Sequence, residues 1–227
     1  MMTDEEHIFN ILQYGDSFFP SGSVSFSWGI EMLLEDDIIN SISNVDDFIE
    51  NQLINKWATF ESVVISHTYL HTDNIPELIK IDNLVECMTV TSELRNGSKR
   101  LGSGLLTTHT RLNTPHAHDY QKLILNNSAH GHLPVIQGLI WQTVGISINS
   151  ALVLSAYNFC VAVLGAAIRL GIVGHIDCQK SLLKFRQLIV ELTCQPLIEL
   201  DDMHAFTPYA DIASMRHENA HTRLFAN

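Results

Sequence analysis

Basic residues are scarce in this chain. Across 227 residues there are 13 Lys and Arg against 25 Asp and Glu, a formal net charge of -12. A nucleic-acid backbone is gripped by clustered cations, so binding to DNA or RNA is excluded as a leading function. Cysteine is also sparse. The four, Cys87, Cys160, Cys178 and Cys194, form no C-x-x-C pair, so neither a zinc ribbon nor a redox motif is present. Cys160 and Cys194 lie in apolar surroundings and are expected to be buried thiols. The N-terminus, Met1-Met2-Thr3-Asp4-Glu5-Glu6, is acidic and lacks the apolar stretch of a secretory signal, which predicts a cytoplasmic protein. Motifs for nucleophilic or nucleotide chemistry are missing as well. There is no Gly-x-Ser-x-Gly elbow, no phosphate loop and no dinucleotide fingerprint.

One absence is local. No Asp, Glu, Lys or Arg stands between Lys122 and Arg169. Pro134, Gly145, Gln137, Gln142, Thr143, Asn149 and Asn158 interrupt the stretch, so it reads as a tight core of small residues rather than a membrane span.

What is present is helical periodicity. The composition is 46% hydrophobic, enough for a sizeable core. Thr3-Asp4-Glu5-Glu6 resembles a capping box, with Ile8, Ile11 and Leu12 behind it. The stretch from Asp16 to Ser23 breaks into a loop, and a short helix follows through Trp28, Met32 and Leu33. Asn44 is the expected cap of a long helix carrying Phe48, Ile49, Leu53, Trp57, Phe60, Val64 and Ile65 down one side. Pro76 suits a first turn, and the stripe after it runs through Leu78, Ile81, Leu84, Val85 and Met88 toward Leu94 and Leu105. Asn96-Gly97 predicts a kink inside that pattern, and Gly102-Ser103-Gly104 predicts close helix packing. Further helices are expected over 119–128, 135–144, 147–170 and 177–195. No run alternates long enough for a strand. The expected fold is an all-α single-domain bundle of roughly eight to ten helices. Residues 1–207 form its core, and Pro196 to Pro208 lead into a docking tail over 208–227.

The tail carries the sharpest motif. His217-Glu218-Asn219-Ala220-His221 has the spacing of a zinc-protease helix, with two imidazoles on one face and a glutamate as base. Such a site needs a third protein ligand. The extended pattern finds Leu224 and Asn227 where it requires Gly and His, and the sequence stops there. A terminal helix also frays, so it makes a poor catalytic support. His217 and His221 therefore stay as weak metal candidates only. The pairs His67 and His71, His116 and His118, and His130 and His132 are weak for the same reason, since no further ligand is evident.

Several segments together resemble one family. They are Pro20-Ser21-Gly22-Ser23-Val24-Ser25-Phe26-Ser27-Trp28-Gly29-Ile30-Glu31, then Ser98 to Leu106, His132 to Gly138 and Ala166 to Gly174. The series closes with Asp211-Ile212-Ala213-Ser214-Met215-Arg216-His217-Glu218 and Arg223-Leu224-Phe225. In this order they resemble the UreF family of urease accessory proteins over nearly the whole chain. The resemblance implies a dimeric, all-α, non-catalytic protein without a cofactor. It implies partnership with UreD (also called UreH) and the GTPase UreG in a complex that delivers nickel to apo-urease, with a tail that becomes ordered on UreD. The partner-binding residues it points to begin with Pro20, Ser21, Gly22, Ser25, Trp28 and Glu31 in the first loop, and Arg169 at the end of the long apolar helix. In the tail they are Tyr209, Asp211, Ile212, Met215, Arg216, His217, Glu218, Arg223, Leu224 and Phe225. The apolar ones among these are too few to bury themselves, which suits a groove on a partner. Two alternatives stand beside this reading. One is a metallochaperone binding nickel directly through histidine pairs, and the other is a zinc hydrolase.

Overall fold

A computed structural model describes residues 3–16, 18–20, 26–218 and 224–225. The α-helices are α1 (Asp4–Gly15), α2 (Ile30–Glu35), α3 (Ile42–Gln52), α4 (Ser62–Leu70), α5 (Ile75–Met88), α6 (Ser92–Arg111), α7 (Ala117–Leu125), α8 (Leu133–Thr143), α9 (Ile148–Arg169), α10 (His175–Thr193) and α11 (Pro208–His217). A π-helical segment, Leu53–Glu61, joins α3 to α4 in one rod, and a short 3-10 turn spans Leu200–Asp202. The all-α bundle expected from periodicity is what forms, and no strand occurs among the described residues.

Local signals set many of the helix starts. Thr3 and Glu6 make a reciprocal capping box on α1, Thr3 Oγ1 accepting from Glu6 N at 3.2 Å and Glu6 Oε2 from Thr3 N at 2.8 Å. Asn74 and Ser147 cap α5 and α9 by the same side-chain-to-backbone bond. Two expectations shift. The cap of α3 is Ser41, and Asn44 instead sits in the first turn, its Oδ1 accepting from Ser41 Oγ at 2.7 Å. The pattern does not break at Asn96-Gly97, because α6 is continuous there and buries Gly97. The break falls earlier, at Thr89-Val90-Thr91, where three β-branched residues disfavour helix. Arg95 Nη1 donates to the freed carbonyls of Thr89 and Val90, each at 2.7 Å.

The rod α3–π–α4 and the long α9 run through both halves of the core. One half gathers Ile30, Val45, Ile49, Leu53, Phe159, Val163, Phe185 and Ile189. The other gathers Val64, Leu78, Ile81, Leu105, Tyr120, Leu139 and Trp141. Each fully buried large side chain contributes on the order of 2–3 kcal/mol. Between the halves Trp57 donates its indole N–H to Ser155 Oγ at 3.2 Å. Small residues allow the closest approaches. A Cβ on Gly102 would lie 2.1 Å from the carbonyl oxygen of Gly131, and one on Gly138 would lie 2.6 Å from that of Ile65.

The uncharged stretch resolves into α7's last turn, α8 and α9. Among the described residues α9 is the one helix long and apolar enough to cross a membrane, yet 61% of its most apolar window is buried inside the fold. It packs on α1, α2, α3, α4, α8 and α10 as a core helix. Of the cysteines, Cys160 is buried as expected, and burial pushes its thiol up to about 12. Cys194 is exposed, contrary to expectation, because it caps α10 at the solvent end. The segment leading to α11 is strapped along the π-helical stretch, with His204 N donating to Thr59 O at 3.0 Å and Phe206 N to Asn55 O at 2.9 Å.

Candidate functional site

The first loop ends in a sharp turn. Trp28 and Gly29 both have positive φ, 58° and 88°. At Gly29 a side chain would be strained, and its Cβ would also press on the Ala210 oxygen and the Ala213 Cβ, both at 3.4 Å. The turn therefore lets α11 lie directly against α2. The facing side of α11 is small and buried: Ala210, Ala213, Ser214 and His217.

Glu31 is the hub of this contact. Its buried carboxylate accepts from Leu224 N at 2.7 Å and from Phe225 N at 3.3 Å. It also takes His217 Nε2 at 3.1 Å. The other imidazole nitrogen, Nδ1, lies 2.8 Å from Glu93 Oε1 on α6. A neutral imidazole donates from one nitrogen only. The doubly paired ring is satisfied as an imidazolium between two carboxylates, or with one carboxyl carrying the proton. Around this core Arg216 pairs with Asp36, Ser92 Oγ donates to Glu218 Oε2 at 2.8 Å, and the Arg169 guanidinium lies 4.5 Å above the Phe225 ring.

Seven sequence-chosen residues thus converge: Glu31, Arg169, Arg216, His217, Glu218, Leu224 and Phe225. Glu93 was missed. Nothing in Ser92-Glu93-Leu94 marks it, since an acidic residue in a first helical turn is ordinary. Asp211 is half-buried and its carboxyl is raised from the usual range by burial, against the lowering effects of Lys56 and a hydrogen bond with Thr207. Pro20 is exposed, its carbonyl 3.4 Å from Thr108 Oγ1. Ser21, Gly22, Ser25, His221 and Arg223 lie outside the described residues. Trp28 and Arg169 also wall a cavity of about 230 Å³ between α1, α6, α8 and α9.

The outward side of the tail is apolar and open. Tyr209 is 70% exposed, Ile212 55%, Met215 43% and Leu224 67%.

The zinc reading fails on geometry. Both His217 nitrogens are already paired with carboxylates, and Glu218 is engaged with Ser92. Members of the other pairs have partners within the protein. His67 Nε2 donates to Ile198 O at 2.9 Å and His71 Nδ1 to His67 O at 2.7 Å. His132 pairs with Glu86 at 2.8 Å, and Lys99 occupies the same carboxylate at 3.0 Å. His116 lies 3.6 Å from Asp73. Among the described residues no group of three or more His, Cys, Asp or Glu is placed to hold a metal ion.

Fold and site define an all-helical protein whose C-terminal segment is clasped to its body by buried carboxylates. The UreF family profile matches residues 39–186. The chain is similar to the urease accessory protein UreF of Trichodesmium erythraeum, 31% identical over 96% of this chain and 95% of that one. It is similar to UreF of Yersinia pestis at 27%, over 97% and 98% of the two chains, and to UreF of Actinobacillus pleuropneumoniae at 26%, over 95% and 96%. The chain belongs to the UreF family of urease accessory proteins, and such proteins serve urease rather than catalyse.

Proposed function

We propose that this protein is a scaffold for urease maturation. It bridges UreD (UreH) and the GTPase UreG, so that nickel is inserted into apo-urease. It works in the cytoplasm as a homodimer, and its tail over residues 208–227 is the docking element for UreD. The observation that supports this best is the two-sidedness of α11. Its small side is turned inward, while Tyr209, Ile212 and Met215, with Leu224 beyond, stand exposed. An exposed apolar row on a short helix suits a groove on a partner. Four free thiols fit a reducing compartment. The family's role supplies the identity of the partners. Nickel is cargo of the assembly in this reading.

The test is co-purification of the full-length chain with UreD and UreG. The combined variant Tyr209→Ala with Ile212→Ala should weaken UreD binding by about tenfold to a hundredfold, as expected for central apolar anchors. Wild-type affinity in that variant would overturn the tail assignment.

A further inference from the structure

We propose that Glu31, Glu93 and His217 are positioning residues that hold the tail in its partner-ready register. This rests on the docking role assigned above. The hydrophobic hold on α11 is slight, because its buried side consists of Ala210, Ala213, Ser214 and His217. An alanine methyl buries little apolar area. With ten residues, α11 is also shorter than a helix that persists alone in water. Polar contacts must therefore decide whether the tail lies on the body and in which register.

Those contacts are concentrated in one buried cluster. Glu31 comes from α2, Glu93 from α6 and His217 from α11, so the imidazole ties three elements at one point. Glu31 then reaches past it to the consecutive N–H groups of Leu224 and Phe225. That fixes the end of α11 and the last described residues of the tail. With the inward side pinned, the helical period turns Tyr209, Ile212 and Met215 outward together. Among the described residues the cluster shares no hydrogen bond or ion pair with these side chains, so it acts on the docking row through the backbone it holds.

The chemistry makes the isosteric amide diagnostic. Glu31 receives two backbone donors on different oxygens, Leu224 N on Oε1 and Phe225 N on Oε2, and its Oε2 also pairs with His217 Nε2. A glutamine of the same size has one acceptor oxygen, and its NH₂ would face a donor. Among the described residues Glu93 pairs with His217 Nδ1 at 2.8 Å and takes a long contact from Ser214 Oγ at 3.5 Å, with no backbone N–H on it. A single amide oxygen serves there, and the serine hydroxyl can accept instead. Glu31→Gln should therefore release the tail, and Glu93→Gln should loosen it less. A role in volume alone predicts no effect from either substitution.

The test uses the full-length protein. Hydrogen exchange of residues 208–218 should quicken by about tenfold to a hundredfold in Glu31→Gln, and less in Glu93→Gln, while exchange in α4, α8 and α9 stays unchanged. UreD affinity should fall in the same order, with the Tyr209→Ala, Ile212→Ala double variant as reference. Unchanged tail exchange in Glu31→Gln overturns the latch. Faster exchange with wild-type affinity, where the reference variant binds weakly, overturns positioning but leaves the docking role standing. Wild-type affinity in the reference variant overturns the docking role, and the positioning role falls with it.

Discussion

His109 should make this protein acid-sensitive in a narrow window. The side chain is fully buried on α6. Its Nδ1 meets Thr114 Oγ1 at 2.9 Å, while Nε2 has no hydrogen-bond partner. Tyr14 and Phe19 cover the ring at centroid distances of 5.0 and 5.4 Å. Burial lowers its pKa from 6.5 to about 4, because a charge here would lose its hydration and gain no counter-ion. The unfolded chain therefore takes up the proton first as pH falls. Stability from the neutral ring is intact above about 6.5, declines below that, and is fully lost below about 4. At 1.36 kcal/mol per pH unit the span amounts to about 3 kcal/mol. The assay is urea unfolding at intervals from pH 7.5 to 4 on the wild type and on His109→Asn, which keeps a polar atom near Thr114 and does not titrate. The cavity left by the smaller side chain lowers the variant's curve at every pH, so only the difference in slope matters. The curves should converge by about 3 kcal/mol as pH falls. Parallel curves between pH 6.5 and 4 would refute the reasoning.

Two further expectations concern packing. Gly102→Ala forces a methyl into the Gly131 carbonyl and should destabilise by at least about 2 kcal/mol, whereas Gly165→Ala, with nothing within 4 Å, should stabilise α9 by about 0.5–1 kcal/mol. Thermal melting of the two variants should move in opposite directions. Asp82 is fully buried and accepts from the backbone N–H groups of His130, Gly131 and His132 at 2.7, 2.8 and 3.1 Å, and from the Tyr120 hydroxyl at 3.1 Å. Asp82→Asn can keep its one oxygen on the three donors at Oδ2 but turns its NH₂ toward His132 N, and should cost about 2 kcal/mol in denaturant unfolding; a loss under about 0.5 kcal/mol would contradict this account.

Much of the fold was legible because helices are written in local chemistry. The Thr3–Glu6 box, Asn74 before Pro76, and the stripe Leu78, Ile81 and Val85 each act within a few residues. Errors arose where long-range contacts outweighed local preference. Gly97 would weaken an isolated helix, but α6 buries it, and the break moved to the β-branched run before Thr91. Cys194 sits in an apolar stretch of sequence, yet at the end of α10 it faces solvent.

The candidate site divides along the same line. The ordered series of segments from Pro20 to Phe225, the closing one the most specific, marked the family, and the family profile over residues 39–186 and the full-length relatives bear the family out. Spacing alone also produced the zinc-like His217-Glu218-Asn219-Ala220-His221, because a four-residue interval records only which side chains share a helix face. What those side chains face is set by α2 and α6, over 120 positions away in sequence. Only the tertiary structure places Glu31 and Glu93 on the two nitrogens of His217, and so turns an apparent metal ligand into a clasp.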